Sequence, residues 1–291
     1  MKKIKYILRK VFNKLVKFFY QPIVVLTFHQ VSELMDDRYE IKEDWNSIEN
    51  FKSTIHYLSC KYKFISLEDV NAKLCSKFPR FRRYAAITFD DAYLSILNVT
   101  GYLLQKEIPF TIFVNSKYLD GVSYSPENLI RYINSLPNTA NMKDLIERYQ
   151  TANVTNYKEA IHALMNSVQL EDKLVKQLYV TREQLLTILN HPLISIALHG
   201  HEHLNATKLS MEDFQQNVND NIKELEKHPH YIPYHAFTWG SYNKEHVVWL
   251  KSKGITSLGC GFNFNYIKPE VIDRCGLGGF DVIRDITPIQ L

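Results

Sequence analysis

The chain has 291 residues, 45% of them apolar, enough to bury a large core in one barrel or sandwich or in two modest domains. Charged residues make up 23% and the formal net charge is +4, a balance that gives no reason to expect a nucleic-acid partner. Most of the imbalance sits at the N-terminus, where Lys2, Lys3, Lys5, Arg9, Lys10, Lys14 and Lys17 precede the first acid, Glu33.

Over residues 1–20, Ile4, Ile7, Leu8, Val11, Phe12, Leu15, Phe18 and Phe19 recur at steps of three and four, which predicts an amphipathic helix with one apolar and one basic face. Lysines interrupt every apolar run, so the segment falls short of the roughly 20 residues that span a bilayer, and no secretion signal follows it. Peripheral contact with an anionic membrane is one reading, and a helix packed on the body with solvated lysines is the other. The expected location is cytoplasmic, with the helix on the inner membrane face. Cys60, Cys75, Cys260 and Cys275 form no C-x-x-C pair and read as ordinary thiols, although four cysteines also permit two disulfides.

Apolar runs of strand length follow at Ile23 to Phe28, Ala85 to Phe89, Phe110 to Val114, Leu193 to Leu198, Tyr234 to Thr238, Ile255 to Leu258 and Val271 to Leu277. Helical patterns separate most of them. Thr181 to Gln184 is a capping-box sequence, and Met211, Phe214, Val218, Ile222 and Leu225 mark the buried stripe of a helix beginning after Ser210. Between about 116 and 180 the strand rhythm gives way to helical sequence, including Met142 to Tyr149 and Tyr157 to Val168, which predicts an insertion on the rim. Without a linker or an internal repeat, residues 21–291 read as a single α/β domain built on a largely parallel sheet or barrel.

Three stretches carry chemistry. Asp90 and Asp91 end the second of these runs, where parallel sheets and barrels place their sites; alone, adjacent aspartates are as readily a solvated turn. His199-Gly-His-Glu-His203 ends another run, and imidazoles with a carboxylate suit zinc and related ions, although such a turn can also be metal-free. Phe237-Thr-Trp-Gly-Ser-Tyr-Asn243 is an aromatic run into a glycine turn, where Trp239 and Tyr242 suit stacking on a sugar and Gly240 suits close backbone approach.

Together these segments resemble the NodB-type polysaccharide deacetylases, carbohydrate esterase family four, from about Ile23 to Leu277. Val24 to Val31 is similar to an aromatic-His strand that opens one branch of the family. Ile87 to Tyr93 matches its T-F-D-D-G motif except at Ala92, and His199 and His203 match H-x-x-x-H. The resemblance implies a distorted (β/α) barrel of about seven strands. It also implies removal of an N-acetyl group from an N-acetylhexosamine-containing glycan or glycan precursor. Asp91, His199 and His203 would hold one divalent ion, zinc first, with cobalt or nickel as alternatives; Asp90 would be the base, and Trp239, Gly240 and Tyr242 would bind substrate. His201 is left as a neighbouring or exposed ring. The third motif lacks the family's arginine, and no histidine follows His246, so the general acid must come from elsewhere. His29, at the end of the first strand, is the expected acid, with His235 the weaker competitor. Two other functions stay open: a glycan-binding or scaffold protein that has lost activity, and another metal-dependent hydrolase such as an amidohydrolase or phosphoesterase.

Overall fold

The computed structural model describes residues 19–277, apart from 37, 39–41, 43, 138, 140–141 and 262. The helix expected over residues 1–20 therefore lies almost wholly outside the described residues. No described helix is long and apolar enough to cross a membrane.

The strands are β1 (Ile23–Phe28), β2 (Gln30–Ser32), β3 (Trp45–Ser47), β4 (Lys63–Phe64), β5 (Tyr84–Phe89), β6 (Phe110–Val114), β7 (Ile194–Leu198), β8 (Tyr231–Ala236), β9 (Thr256–Leu258) and β10 (Cys275–Gly276). Seven of them form a parallel barrel sheet in the order β10-β1-β5-β6-β7-β8-β9, with β4 pairing the first half of β5. Among the described residues the seam between β9 and β10 is closed by one bridge, Leu258 to Ile272. Side chains alternate as the pleat requires. Ile23, Val25, Ala86, Phe113, Ala197 and Ala236 belong to one buried cluster, which fills the barrel. Val24, Leu26, Ile87, Phe89, Ile112 and Leu198 belong to the other, shared with the surrounding helices.

Two expected strands are corrected. The run placed at Tyr234 to Thr238 begins at Tyr231 and ends at Ala236, leaving Thr238 in a short 3-10 turn. Pro233 hides this start in the sequence. It is tolerated because the β7–β8 register shifts between Ile196–Tyr231 and Leu198–His235, so the strand bulges where proline cannot donate. The run Val271 to Leu277 is regular only at Cys275–Gly276, with Arg274 turned into the protein just before it.

The helices are α1 (Ile48–Ser59), α2 (Leu67–Cys75), α3 (Leu97–Gln105), α4 (Pro126–Ser135), α5 (Lys143–Thr151), α6 (Tyr157–Met165), α7 (Asp172–Val175), α8 (Arg182–Ile188), α9 (Met211–Leu225) and α10 (Lys244–Ser252). The capping box at Thr181 and the cap at Ser210 form as expected. Helices α4 to α7 occupy the expected insertion. Stacked tyrosines tie it to the rim: Tyr179 lies between Tyr93, 5.2 Å away, and Tyr118, 4.9 Å away. All four cysteines are free thiols.

Candidate active site

Asp90 and Asp91 leave the C-terminal end of β5 in a turn where Asp91 and Ala92 have φ of 66° and 54°. Left-handed backbone costs a side-chain-bearing residue roughly 1 kcal/mol, which is why glycine suits the position of Ala92. Here the buried Ala92 is held by packing and by the Val180 N–H, which donates to its carbonyl at 3.0 Å. The turn aims the two carboxylates at different partners.

Asp91 Oδ1 lies 3.3 Å from His199 Nε2 and 3.3 Å from His203 Nε2, yet it is buried without a hydrogen-bond partner. A buried carboxylate oxygen facing two ring nitrogens is the arrangement a cation completes. The donor atoms of Asp91, His199 and His203 lie within 4.8 Å of one another. His199, at the end of β7, has Nδ1 2.8 Å from the Ala236 carbonyl; a carbonyl only accepts, so Nδ1 carries the proton and Nε2 keeps its lone pair toward Asp91. His203 Nδ1 sits 3.2 Å from Glu127 Oε2, which fixes that ring in the same sense. Burial pulls the His203 pKa down, but Asp91 and Glu127 outweigh it and raise it to about 9; carboxylates that attract a proton there also attract a cation. Burial alone would raise the Asp91 pKa, and the imidazoles of His203 and His199 instead hold it well below the usual carboxylate range. The donor set fits one small divalent ion.

Asp90 stands beside this trio, its Oδ2 3.9 Å from His199 Nε2, and is gripped by Arg274, with Nη1 to Oδ1 at 2.6 Å and Nη2 to Oδ2 at 2.8 Å. Arg274 is 1% exposed, donates through Nε to the Gly259 carbonyl at 3.1 Å, and lies over the Phe113 ring. Burial opposes ionisation of Asp90, yet Arg274, with help from His199 and His29, keeps its pKa below the ordinary value. It is an oriented, ionised carboxylate next to the donors that could hold an ion.

His29 stands just past β1 with Nε2 4.0 Å from Asp90 Oδ2 and Nδ1 3.9 Å from Asp44 Oδ1. Asp44 is held in turn by Arg131 Nη2 at 3.0 Å. The competitor His235 is buried beside Phe214 and Phe237, and burial pushes its pKa down to about 3, so it stays neutral and is unsuited to donate a proton near neutrality. His201 turns away to Ser116 Oγ, 3.0 Å from its Nδ1.

Trp239 is 54% exposed at φ 60°, its ring 5.9 Å from that of His203. Tyr242 stacks on Phe237 at 4.5 Å and keeps part of its surface exposed. The Gly240 N–H donates to the Phe237 carbonyl at 3.1 Å and so closes the turn that carries Trp239. Beside His203 a cavity of about 280 Å³ opens between Trp239 and the insertion residues Ile130, Arg131 and Tyr149.

Sequence reasoning missed Arg274, Glu127 and Asp44. A lone arginine inside the apolar run Val271 to Leu277 was the available signal for the first, since a buried cation requires a partner. Glu127 and Asp44 lie in a helix first turn and a loop, where acids are ordinary.

A sequence model of one family, described as polysaccharide deacetylase, matches residues 79–258. No curated protein matches the chain by sequence. Solved structures resemble it in fold. A polysaccharide deacetylase from Bacillus cereus superposes with a TM-score of 0.60 at 14% identity, covering 92% of this chain and 68% of the other. IcaB from Ammonifex degensii gives 0.58 at 17% identity over 88% and 91% of the two chains. A de-N-acetylase from Aggregatibacter actinomycetemcomitans gives 0.57 at 17% identity over 91% and 99%.

Proposed function

Since the chain belongs to the polysaccharide deacetylase family, whose model spans more than half of it, we propose that it is a metal-dependent hydrolase that removes N-acetyl groups from an N-acetylhexosamine-containing glycan or glycan precursor, releasing acetate. The observation that carries this reading is the orphaned Asp91 Oδ1 between His199 and His203, beside an Asp90 locked by Arg274. The third motif lacks the family's arginine, which leaves a scaffold that has lost activity as an alternative; Arg274 supplies a guanidinium to Asp90 and supports the enzyme reading.

A divalent ion held by Asp91, His199 and His203, zinc in the first instance, would lower the pKa of water from about 15.7 toward roughly 7 and polarise the acetyl carbonyl. Asp90 takes a proton from the attacking water as its oxygen bonds to the carbonyl carbon. Arg274 keeps that carboxylate ionised and fixes the direction of its free lone pairs. The Trp239 N–H, in the turn next to His203, is the proposed donor to the developing oxyanion. As the C–N bond breaks, His29 gives its proton to the departing amine, and the Asp44–Arg131 pair orients the ring for that step. Trp239, with its indole face open to solvent, is the proposed platform for the sugar, and Tyr242 extends it.

The test is acetate release from free, nucleotide-linked, lipid-linked and polymeric N-acetylhexosamines with zinc, cobalt or nickel. We expect Asp90→Asn and His29→Ala to retain bound metal and to lose at least about 10²-fold in turnover. A zinc-loaded protein that releases acetate from none of these compounds would sink the proposal, and near-normal turnover in His29→Ala would move the acid elsewhere.

A further inference from the structure

The loop Lys77–Arg83 runs into the first residue of β5, at the end of the barrel opposite the carboxylates. Phe78 is 81% and Phe81 75% exposed, the highest values of any aromatic side chain among the described residues. A large apolar side chain in water normally packs somewhere, and two on one short loop form a patch that asks for a partner. Lys77, Arg82 and Arg83 flank them, and Ile267 and Lys268 stand exposed on the neighbouring segment. No ion pair joins Lys77, Arg82, Arg83 or Lys268 to a carboxylate among the described residues; the Arg83 side chain makes a 3.3 Å hydrogen bond from Nε to Gln21 Oε1.

The loop is preformed. Arg80, 7% exposed, turns inward and donates to the carbonyls of Gln21 at 3.0 Å, Lys73 at 3.0 Å and Tyr266 at 2.6 Å, binding three segments together under the patch. Its backbone also pairs with the entering chain, Arg80 N to Phe19 O at 2.8 Å and Gln21 N to Arg80 O at 2.6 Å. The described chain begins at this same edge, and the strongly basic residues 2–17 precede it in the sequence.

We propose that this face docks on an anionic phospholipid surface, with Phe78 and Phe81 entering the interfacial region and Lys77, Arg82, Arg83 and Lys268 meeting the headgroups. Aromatic side chains interleaved with unpaired cations match that interface in both polarity and charge. A second copy of the chain, carrying the same cations, would repel. Because β5 begins at the patch and ends at Asp90, its six residues hold the reactive rim about 20 Å farther from the lipid, turned toward water. The docked protein then meets its substrate on the aqueous side. This inference is independent of the deacetylase reading, since its readout is lipid binding.

The experiment uses the full chain and vesicles of phosphatidylcholine with or without phosphatidylglycerol. Binding is expected only where phosphatidylglycerol is present, and at least about tenfold weaker for Phe78→Asp/Phe81→Asp, whose circular dichroism should be unchanged because both sites are exposed. The Phe78→Trp protein should show a blue-shifted emission that brominated acyl chains quench. Undiminished binding of the double aspartate protein, or no quenching in Phe78→Trp, would overturn the proposal. So would self-association of the wild-type chain that the double aspartate protein loses, because the patch would then be a contact between copies.

Discussion

Asp91, His199 and His203 leave the ends of β5 and β7, strands hydrogen-bonded to β6 on either side, whereas the groups that brace the site come from irregular places. Arg274 precedes a two-residue strand, Glu127 sits in the first turn of an inserted helix, and Asp44 lies in a loop. Continuous ladders fix where the ion-facing donors stand. The braces have little local structure of their own and hold position through burial and charge. Position and orientation of the reacting groups are thus supplied by different parts of the molecule, so the two classes should fail differently when altered.

The largest expected effect is on the ladder side. Asp91→Ala and His199→Ala should each abolish acetate release and strip stoichiometric zinc, measured by mass spectrometry, while leaving a folded barrel. Retained zinc in His199→Ala would break the comparison at its root. On the brace side, Arg274→Ala should keep the ion but strand a buried Asp90 charge, lowering stability by about 3–5 kcal/mol in urea unfolding and turnover by at least about 10²-fold. An equally stable, active Arg274→Ala protein would show that Asp90 needs no brace. The smallest effect should be Glu127→Gln. Its amide leaves His203 Nδ1 a weaker partner, and zinc affinity in a chelator competition should fall about 10- to 100-fold without loss of the fold. No change in affinity would reduce Glu127 to a support for the insertion through its bond from Tyr149.

The same division explains what the sequence disclosed. Ile23–Phe28 and Phe110–Val114 form strands at the expected residues, because a run buried on both faces leaves an unbroken apolar signature. The trio of Asp91, His199 and His203 that could hold an ion was legible for the same reason: each donor follows such a run. The start of β8 was hidden by Pro233, and the strand ending in Leu277 by the arginine that interrupts it. Arg274 and Asp90 are 184 residues apart, and no local pattern pairs them. Glu127 acquires its meaning only when the stacked tyrosines bring the insertion over the rim, a tertiary event that spacing along the chain does not record.

The seam of the barrel adds a kinetic dimension. Among the described residues, closure between β9 and the segment leading into β10 rests on the Leu258–Ile272 bridge and its hydrogen bonds, Ile272 N to Ser257 O at 3.0 Å and Gly259 N to Ile272 O at 3.0 Å. Short terminal pairings of this kind open more often than central strands, on the timescales that amide exchange detects. Arg274 rides on that segment while the three ion-facing donors do not. Each opening of the seam would therefore free Asp90 from its guanidinium while leaving Asp91, His199 and His203 where their own strands hold them.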